Sequence, residues 1–482
     1  MYALYISIYV FIAISAAIAL VLGVFTASRG VERFGSKGVM MVYLWLMMLA
    51  PALRIMTAPR EYLTDADATL AGYTAISGPV TWALRLSTVA IVSVAGVVML
   101  MALIRRQKLS GGTFLAVGLG AVFTTMLTSA GLGTKPAFIH QSLYTVLMLA
   151  TLLVMPRIAP EPVAIQAKRV LAFLMIGSLV LAVIQPAHYV QTGYVGIIPG
   201  FHYRLHGLAP HANSLAPLAL LYLILAYWVR GKNPWHMLGV VSAAAVLVLS
   251  QSKTIWLTAL LIVFVIVVTR VSRQFGQELR SARIGWGTIT ALGAYMGAGL
   301  MLLWMFSGEA SRVFHALMAD SDVSTLTGRT DIWRVTLDTW RKSPWFGYGP
   351  NLWDLDFRIR HHGALAAWHA HNQFLQALGE AGIVGLTSML TYLAALVYYA
   401  VRFAGPTRGV TLALLLLILS RTMTEVPIRF SVLLDATFFV HAVVFAVLVM
   451  LARQASAAGQ ASASLQAAEA TAIKPAQLPQ LT

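Results

Sequence analysis

Two short stretches of this chain concentrate side chains able to handle phosphates and protons. Residues 201–213 read Phe-His-Tyr-Arg-Leu-His-Gly-Leu-Ala-Pro-His-Ala-Asn, with three histidines and one arginine. Residues 369–382 read His-Ala-His-Asn-Gln-Phe-Leu-Gln-Ala-Leu-Gly-Glu-Ala-Gly, and both stretches lead into apolar runs. Lys253, bounded by apolar runs, and Arg329, in Thr327-Gly-Arg329, lie between them in sequence. A guanidinium presents a planar two-pronged donor to phosphate or pyrophosphate. A neutral imidazole can take a proton from a hydroxyl near its reference pKa. Arginine and histidine together at a membrane face therefore suggest phosphate-linked lipid chemistry.

Blander roles stand beside this one. Arg204, at the end of a span, can snorkel to lipid phosphates. His206, His361 and His362 read as capped or solvated histidines. A zinc site in 201–213 has His206 and His211 five apart with no neighbouring carboxylate, which is poor ligand chemistry. Asp65-Ala-Asp67 and Asp354-Leu-Asp356 have the form of metal-holding acidic pairs, a pattern that also arises by chance. Arg54, Arg85, Arg421, Glu425 and Asp435 fall in or beside apolar runs, as residues of a transport pathway would.

The elements that must position these groups are membrane helices. Of 482 residues, 59% are hydrophobic and 11% are charged, against about a quarter charged in soluble domains. Mean hydropathy is +0.77. Soluble, disordered and fibrous classes are excluded, and the expected fold is an all-α polytopic membrane protein. Apolar runs fall near 3–26, 39–57, 81–104, 113–130, 139–155, 170–186, 212–229, 237–249, 255–269, 288–306, 382–401, 410–428 and 432–451, giving twelve or thirteen spans. The first run lacks a basic leader and is too long for a signal core, so it reads as a retained span.

Lysine and arginine number 34 against 17 acids. In a soluble chain that excess would point to nucleic acid; here it decorates alternate connectors, as the positive-inside rule requires. Arg29, Arg33 and Lys37, then Arg105, Arg106 and Lys108, then Arg157, Lys168 and Arg169 mark the first cytoplasmic loops. The segments 187–211 and 307–381 then lie outside, and a strict count puts the N-terminus outside too. The expected organisation is a membrane domain at 1–306, an external loop or lid at 307–381, further spans at 382–452 and a disordered cytoplasmic tail at 453–482. Thr330–Arg341 has an amphipathic helical pattern within the loop. The chain has no cysteine, which removes disulfides and thiolate chemistry.

His371-Asn372, nine residues, then Gly382-Ile-Val-Gly385 resembles the His-[Asn/Ser/Gln]-X9-Gly-X-X-[Gly/Thr/Tyr] pattern of the O-antigen ligase family. Arg204-Leu-His-Gly-Leu208 is similar to that family's Arg-X3-Leu motif. Thr327-Gly-Arg329, Trp333 and Gly347-Tyr-Gly349 resemble the large external loop of the wider ligase and polymerase superfamily. Ser250-Gln-Ser252-Lys253 resembles its Ser-X-Ser-Arg element, with lysine in place of the commoner arginine.

The resemblance implies an inverting glycosyltransferase of the bacterial inner membrane, usually with twelve spans, working at the periplasmic face. It would move O-antigen from undecaprenyl pyrophosphate to lipid A–core, with no metal and no cofactor. Carried over by motif, His371 is the catalytic base, with Asn372 and His369 in support. Arg204, with Lys253 and Arg329 as weaker transfers, binds the pyrophosphate, and Arg204 and Arg329 also stabilise its departure. The expected partners are the lipid-linked donor, the lipid A–core acceptor and membrane lipids, without nucleic acid. The alternatives are an O-antigen polymerase or a protein O-oligosaccharyltransferase with the same donor, and, from another class, a lipid or solute transporter.

Overall fold

The computed structural model describes residues 2–57, 78–281, 324–361 and 367–472, apart from positions 108, 110, 195–197 and 199, together with fragments of 285–297. It is about 76% helical. Helix α1 (Tyr2–Thr57) merges the first two expected spans and breaks at Gly35. Then follow α2 (Gly78–Ile104), α3 (Thr113–Leu132), α4 (His140–Val154), α5 (Pro160–Ile184) and the short α6 (Pro186–Tyr189). A two-stranded ribbon, β1 (Val190–Thr192) and β2 (Tyr203–Leu205), pairs antiparallel with Gln191 opposite Arg204. The chain continues through α7 (Ala212–Trp228), α8 (Pro234–Leu249), α9 (Lys253–Arg280), α10 (Ser324–Lys342), α11 (Leu355–Arg360), α12 (Gln373–Arg402), α13 (Val410–Leu419) and α14 (Ala436–Ala472).

Seven of the described helices are long and apolar enough to cross a membrane, and α4, α7, α8 and α13 are shorter apolar helices. The expected span at 288–306 lies largely outside the described residues. The centre of the bundle is α14, buried all round from Phe438 to Met450. A helix with no polar face belongs in the interior.

Two expectations change. The span expected at 410–428 is helical only to Leu419. Ten residues rise about 15 Å, half the hydrocarbon thickness. Beyond it, Thr422-Met-Thr-Glu425-Val-Pro427 leaves the helix, since proline disfavours a helical residue before it. At the other end, α14 continues to Ala472, through 453–472 of the stretch expected to be a disordered tail, whose remainder lies outside the described residues. That stretch is rich in alanine, the strongest helix former.

The helix bearing the site motif, α12, is broken at Gly382 (φ 65, ψ −157). The segment 344–349 fills the break with backbone hydrogen bonds. Ile383 donates to the Pro344 carbonyl at 2.8 Å, Tyr348 to that of Gly379 at 2.8 Å and Gly349 to that of Glu380 at 2.9 Å. Lys135, just past α3, donates in turn to the Tyr348 carbonyl at 2.7 Å. Backbone groups that a broken helix frees inside a membrane protein must find such partners. Helix α10 and the loop after it enclose a small core of Ile332, Tyr348, Leu352, Trp353, Phe357, Ala367 and Ala370, seated on α12.

Candidate active site

Asn372 caps α12, its side-chain oxygen accepting from the amides of Phe374 (3.0 Å) and Leu375 (3.1 Å). A cap of this kind satisfies orphan amides and fixes where the helix begins. His371 sits immediately before it in the left-handed region (φ 48), and its amide donates to His369 Nδ1 at 3.1 Å. The loop is pinned from two sides. Trp333 Nε1 donates to the Ala370 carbonyl at 2.9 Å, and the Ala370 amide donates to Gln376 Oε1 at 2.7 Å.

The third member of the site comes from the irregular segment after α13. Glu425 Oε2 lies 3.5 Å from His371 Nδ1 and 3.6 Å from His369 Nε2. Gln373, the first residue of α12, braces that segment: its amide donates to the Thr422 carbonyl at 2.7 Å. Its side chain donates to the Ile428 carbonyl at 3.1 Å and accepts from the Ile428 amide at 2.8 Å. One buried glutamine therefore holds the glutamate opposite the histidines.

Protonation states follow from these contacts. Burial pushes the His369 imidazole down to about 3, and the neighbouring His371 adds to this. His369 is neutral, with Nδ1 accepting and the proton assigned to Nε2, facing Glu425. Burial would raise the Glu425 carboxyl, but the His371 contact, His369 and Arg421 together outweigh it and hold it at about 2. At 3.5 Å the His371–Glu425 contact is electrostatic and falls short of a formed hydrogen bond, so buried Nδ1 has no hydrogen-bond partner among the described residues. A carboxylate facing Nδ1 favours the proton there and leaves Nε2 as the basic nitrogen, the arrangement of a histidine base oriented by an acid. Arg421, buried behind Glu425, is lowered by burial while Glu425 and Asp435 pull it back up.

Arg204 belongs to a separate hydrogen-bonded group. From β2 its Nε donates to the Ser250 carbonyl at 3.0 Å and its Nη2 to Asn213 Oδ1 at 2.7 Å. Ser252 Oγ donates to the same Asn213 oxygen at 3.2 Å. The Arg-X3-Leu and Ser-X-Ser elements thus meet through Asn213, and the guanidinium stacks 4.6 Å from the Tyr194 ring. Burial lowers its pKa, with Tyr194 acting in the opposite direction. The guanidinium is held against protein rather than snorkelling to lipid. Lys253 is exposed at the start of α9 and Arg329 half-buried near the start of α10; neither has an ion pair among the described residues.

Other candidates resolve differently. His206 contacts Gln191 Oε1 at 3.1 Å and stacks on His211. Asp354 caps α11 through the Phe357 amide, and it and Asp356 face Lys135 at 3.7 and 3.5 Å, so the pair serves as a cap and an ion-pair partner. Asp65, Asp67 and His362 lie outside the described residues. Among the described residues the group able to hold a metal is His369, His371 and Glu425, with ligand atoms within 4.8 Å of one another. Arg421 acts on Glu425 and Arg429 on His369. Arg421 acts on His369 as well, and two guanidiniums acting on this His–Glu group oppose a dication and suit an anion. Sequence reading set Glu425 among mid-span charges; its partnership with His371 had no local signal.

Comparison with known proteins converges on the same segment. Residues 238–390 match the O-antigen ligase family. That range contains Ser250–Lys253, Arg329, His371 and Gly382, and leaves Arg204 and Glu425 outside. The exopolysaccharide production protein ExoQ of Rhizobium meliloti (strain 1021) is 32% identical over 94 residues, covering 17% of this chain and 20% of that protein. The aligned part is thus about a fifth of the relative's length.

Proposed function

From the O-antigen ligase family domain that this chain carries at residues 238–390, we propose an inverting, metal-independent membrane glycosyltransferase. It transfers O-antigen from undecaprenyl pyrophosphate to lipid A–core at the periplasmic face of the inner membrane. The observation that carries this reading is His371, set at the capped end of a membrane helix with ionised Glu425 at 3.5 Å behind its Nδ1.

His371 Nε2 takes the proton of the acceptor hydroxyl as that oxygen attacks the anomeric carbon. The bond from that carbon to the pyrophosphate oxygen breaks on the opposite face, and the pyrophosphate leaves with the electron pair. Glu425 stabilises the imidazolium formed. General-base help of this kind contributes roughly 10²–10⁴-fold. Arg204 stabilises the charge that grows on the leaving group, with Arg329 and Lys253 as further cations, and one such contact is typically worth about 3–4 kcal/mol. Arg421 and Arg429, which act on the His–Glu group, support the metal-independent form of the reaction, because their positive charge disfavours a dication beside it.

The test is a transfer assay. Purified wild type and His371→Ala receive lipid-linked O-antigen and lipid A–core, and the products are resolved on a lipopolysaccharide gel. A ladder with wild type that vanishes for the variant supports the ligase. Elongation of the lipid-linked glycan without a ladder would make the enzyme a polymerase, a reading that the similarity to an exopolysaccharide production protein keeps in play. Activity lost to EDTA and restored by Mg²⁺ or Mn²⁺ would overturn the metal-free step.

A further inference from the structure

Beside the His–Glu centre is a cavity of about 120 Å³, bounded by α3, α4, α12 and residues 426–431. Its apolar lining includes the exposed Leu127 and Phe138. Its polar lining includes Gln376, Glu380, Arg429 and Ser431. Arg429 Nε and Ser431 Oγ are buried and have no hydrogen-bond partner among the described residues, although buried polar atoms are in the great majority paired. Arg429 also acts electrostatically on both His369 and Glu380, so this lining residue ties the cavity to the neighbouring His–Glu centre. Arg204 is held by α7 and the turn before α9 and shares no partner with this cavity.

We propose that the cavity is the acceptor pocket and takes the phosphate-bearing sugar headgroup of a glycolipid. Arg429 contacts its anionic group, and Glu380, Gln376 and Ser431 contact its hydroxyls. This rests on the transferase reading above. A single displacement with inversion needs acceptor and leaving group on opposite faces of the anomeric carbon, which two separately built sites provide. The volume holds several waters, matching a phosphate or one face of a sugar. The apolar lip lets a lipid enter sideways from the bilayer. A carboxylate, an amide and a hydroxyl together offer both donors and acceptors to sugar hydroxyls.

Native mass spectrometry reads binding without turnover. Wild type, Arg429→Gln and the cavity-filling Ala130→Phe are titrated with lipid A–core in detergent, and separately with undecaprenyl pyrophosphate and with inorganic phosphate. The expected result is about tenfold weaker lipid A–core binding in both variants, the loss of one charge-assisted contact or of the space for it. Undecaprenyl pyrophosphate binding is expected to stay unchanged. Unaltered lipid A–core binding in both folded variants, or a loss confined to undecaprenyl pyrophosphate, overturns the proposal. Inorganic phosphate competing as well as the glycolipid would make this a free-anion site and overturn it too. Thermal unfolding checks each variant, and Ala130→Phe carries the test if Arg429→Gln fails to fold. The expected binding pattern with a wild type inactive in transfer would sink the transferase reading instead.

Discussion

Replacing Glu425 with glutamine keeps its shape and removes the charge behind His371, which isolates the role the geometry assigns to it. The carboxylate stands 3.5 Å from His371 Nδ1 and its side chain is only 18% exposed. Unit charges about 4 Å apart at an effective dielectric near 20 attract by about 4 kcal/mol. Arg421 offsets part of this, leaving roughly 2–4 kcal/mol for the imidazolium. At about 1.4 kcal/mol per decade, kcat should fall roughly 30- to 1,000-fold, with the acceptor KM little changed because no substrate contact is removed. Glu425→Asp, which restores the charge at a longer reach, should recover part of the loss. Single-turnover transfer with saturating donor measures this, with thermal unfolding confirming the fold. If Glu425→Gln kept more than about a third of wild-type kcat, the oriented-base reasoning would be wrong.

Acidification should destabilise the protein through His369. Its folded pKa of about 3 lies below the ordinary 6.5, so the unfolded chain binds a proton first, and stability falls as pH drops from about 6.5 towards 3. At pH 5 the loss approaches 2 kcal/mol, and His369→Gln should flatten that slope in melting curves taken from pH 7 to 5. Gly382→Ala should be severely destabilising. The residue sits at φ 65 and an added Cβ would collide with the Trp345 backbone carbonyl, a combination costing about 3 kcal/mol or more. Size-exclusion profiles in detergent should show lost monodisperse yield, while an alanine that leaves profile and melting point intact would contradict the broken-helix account.

The nine-residue spacer between Asn372 and Gly382 was legible in the sequence, and the structure gives it a physical meaning: it is the length of helix from its cap to its break. Capping, apolar runs and glycine at positive φ are local properties, set by a few neighbouring residues, so they can be read from a string of letters. The same holds for the membrane class and for α10, whereas His371 is singled out as the base through the family resemblance. Arg204 and the Ser250–Ser252 element were each visible as motifs, but only folding joins them at Asn213. Glu425 shows the limit most clearly. Hydropathy alone absorbs it into a span at 410–428, and nothing near it in sequence points to a histidine. What sets it there is a helix that stops at Leu419 and a glutamine on another helix that holds the following segment by its backbone. Arg429 and the cavity have the same origin. Such partnerships between distant segments depend on packing, which has no period or spacing in the sequence to reveal it.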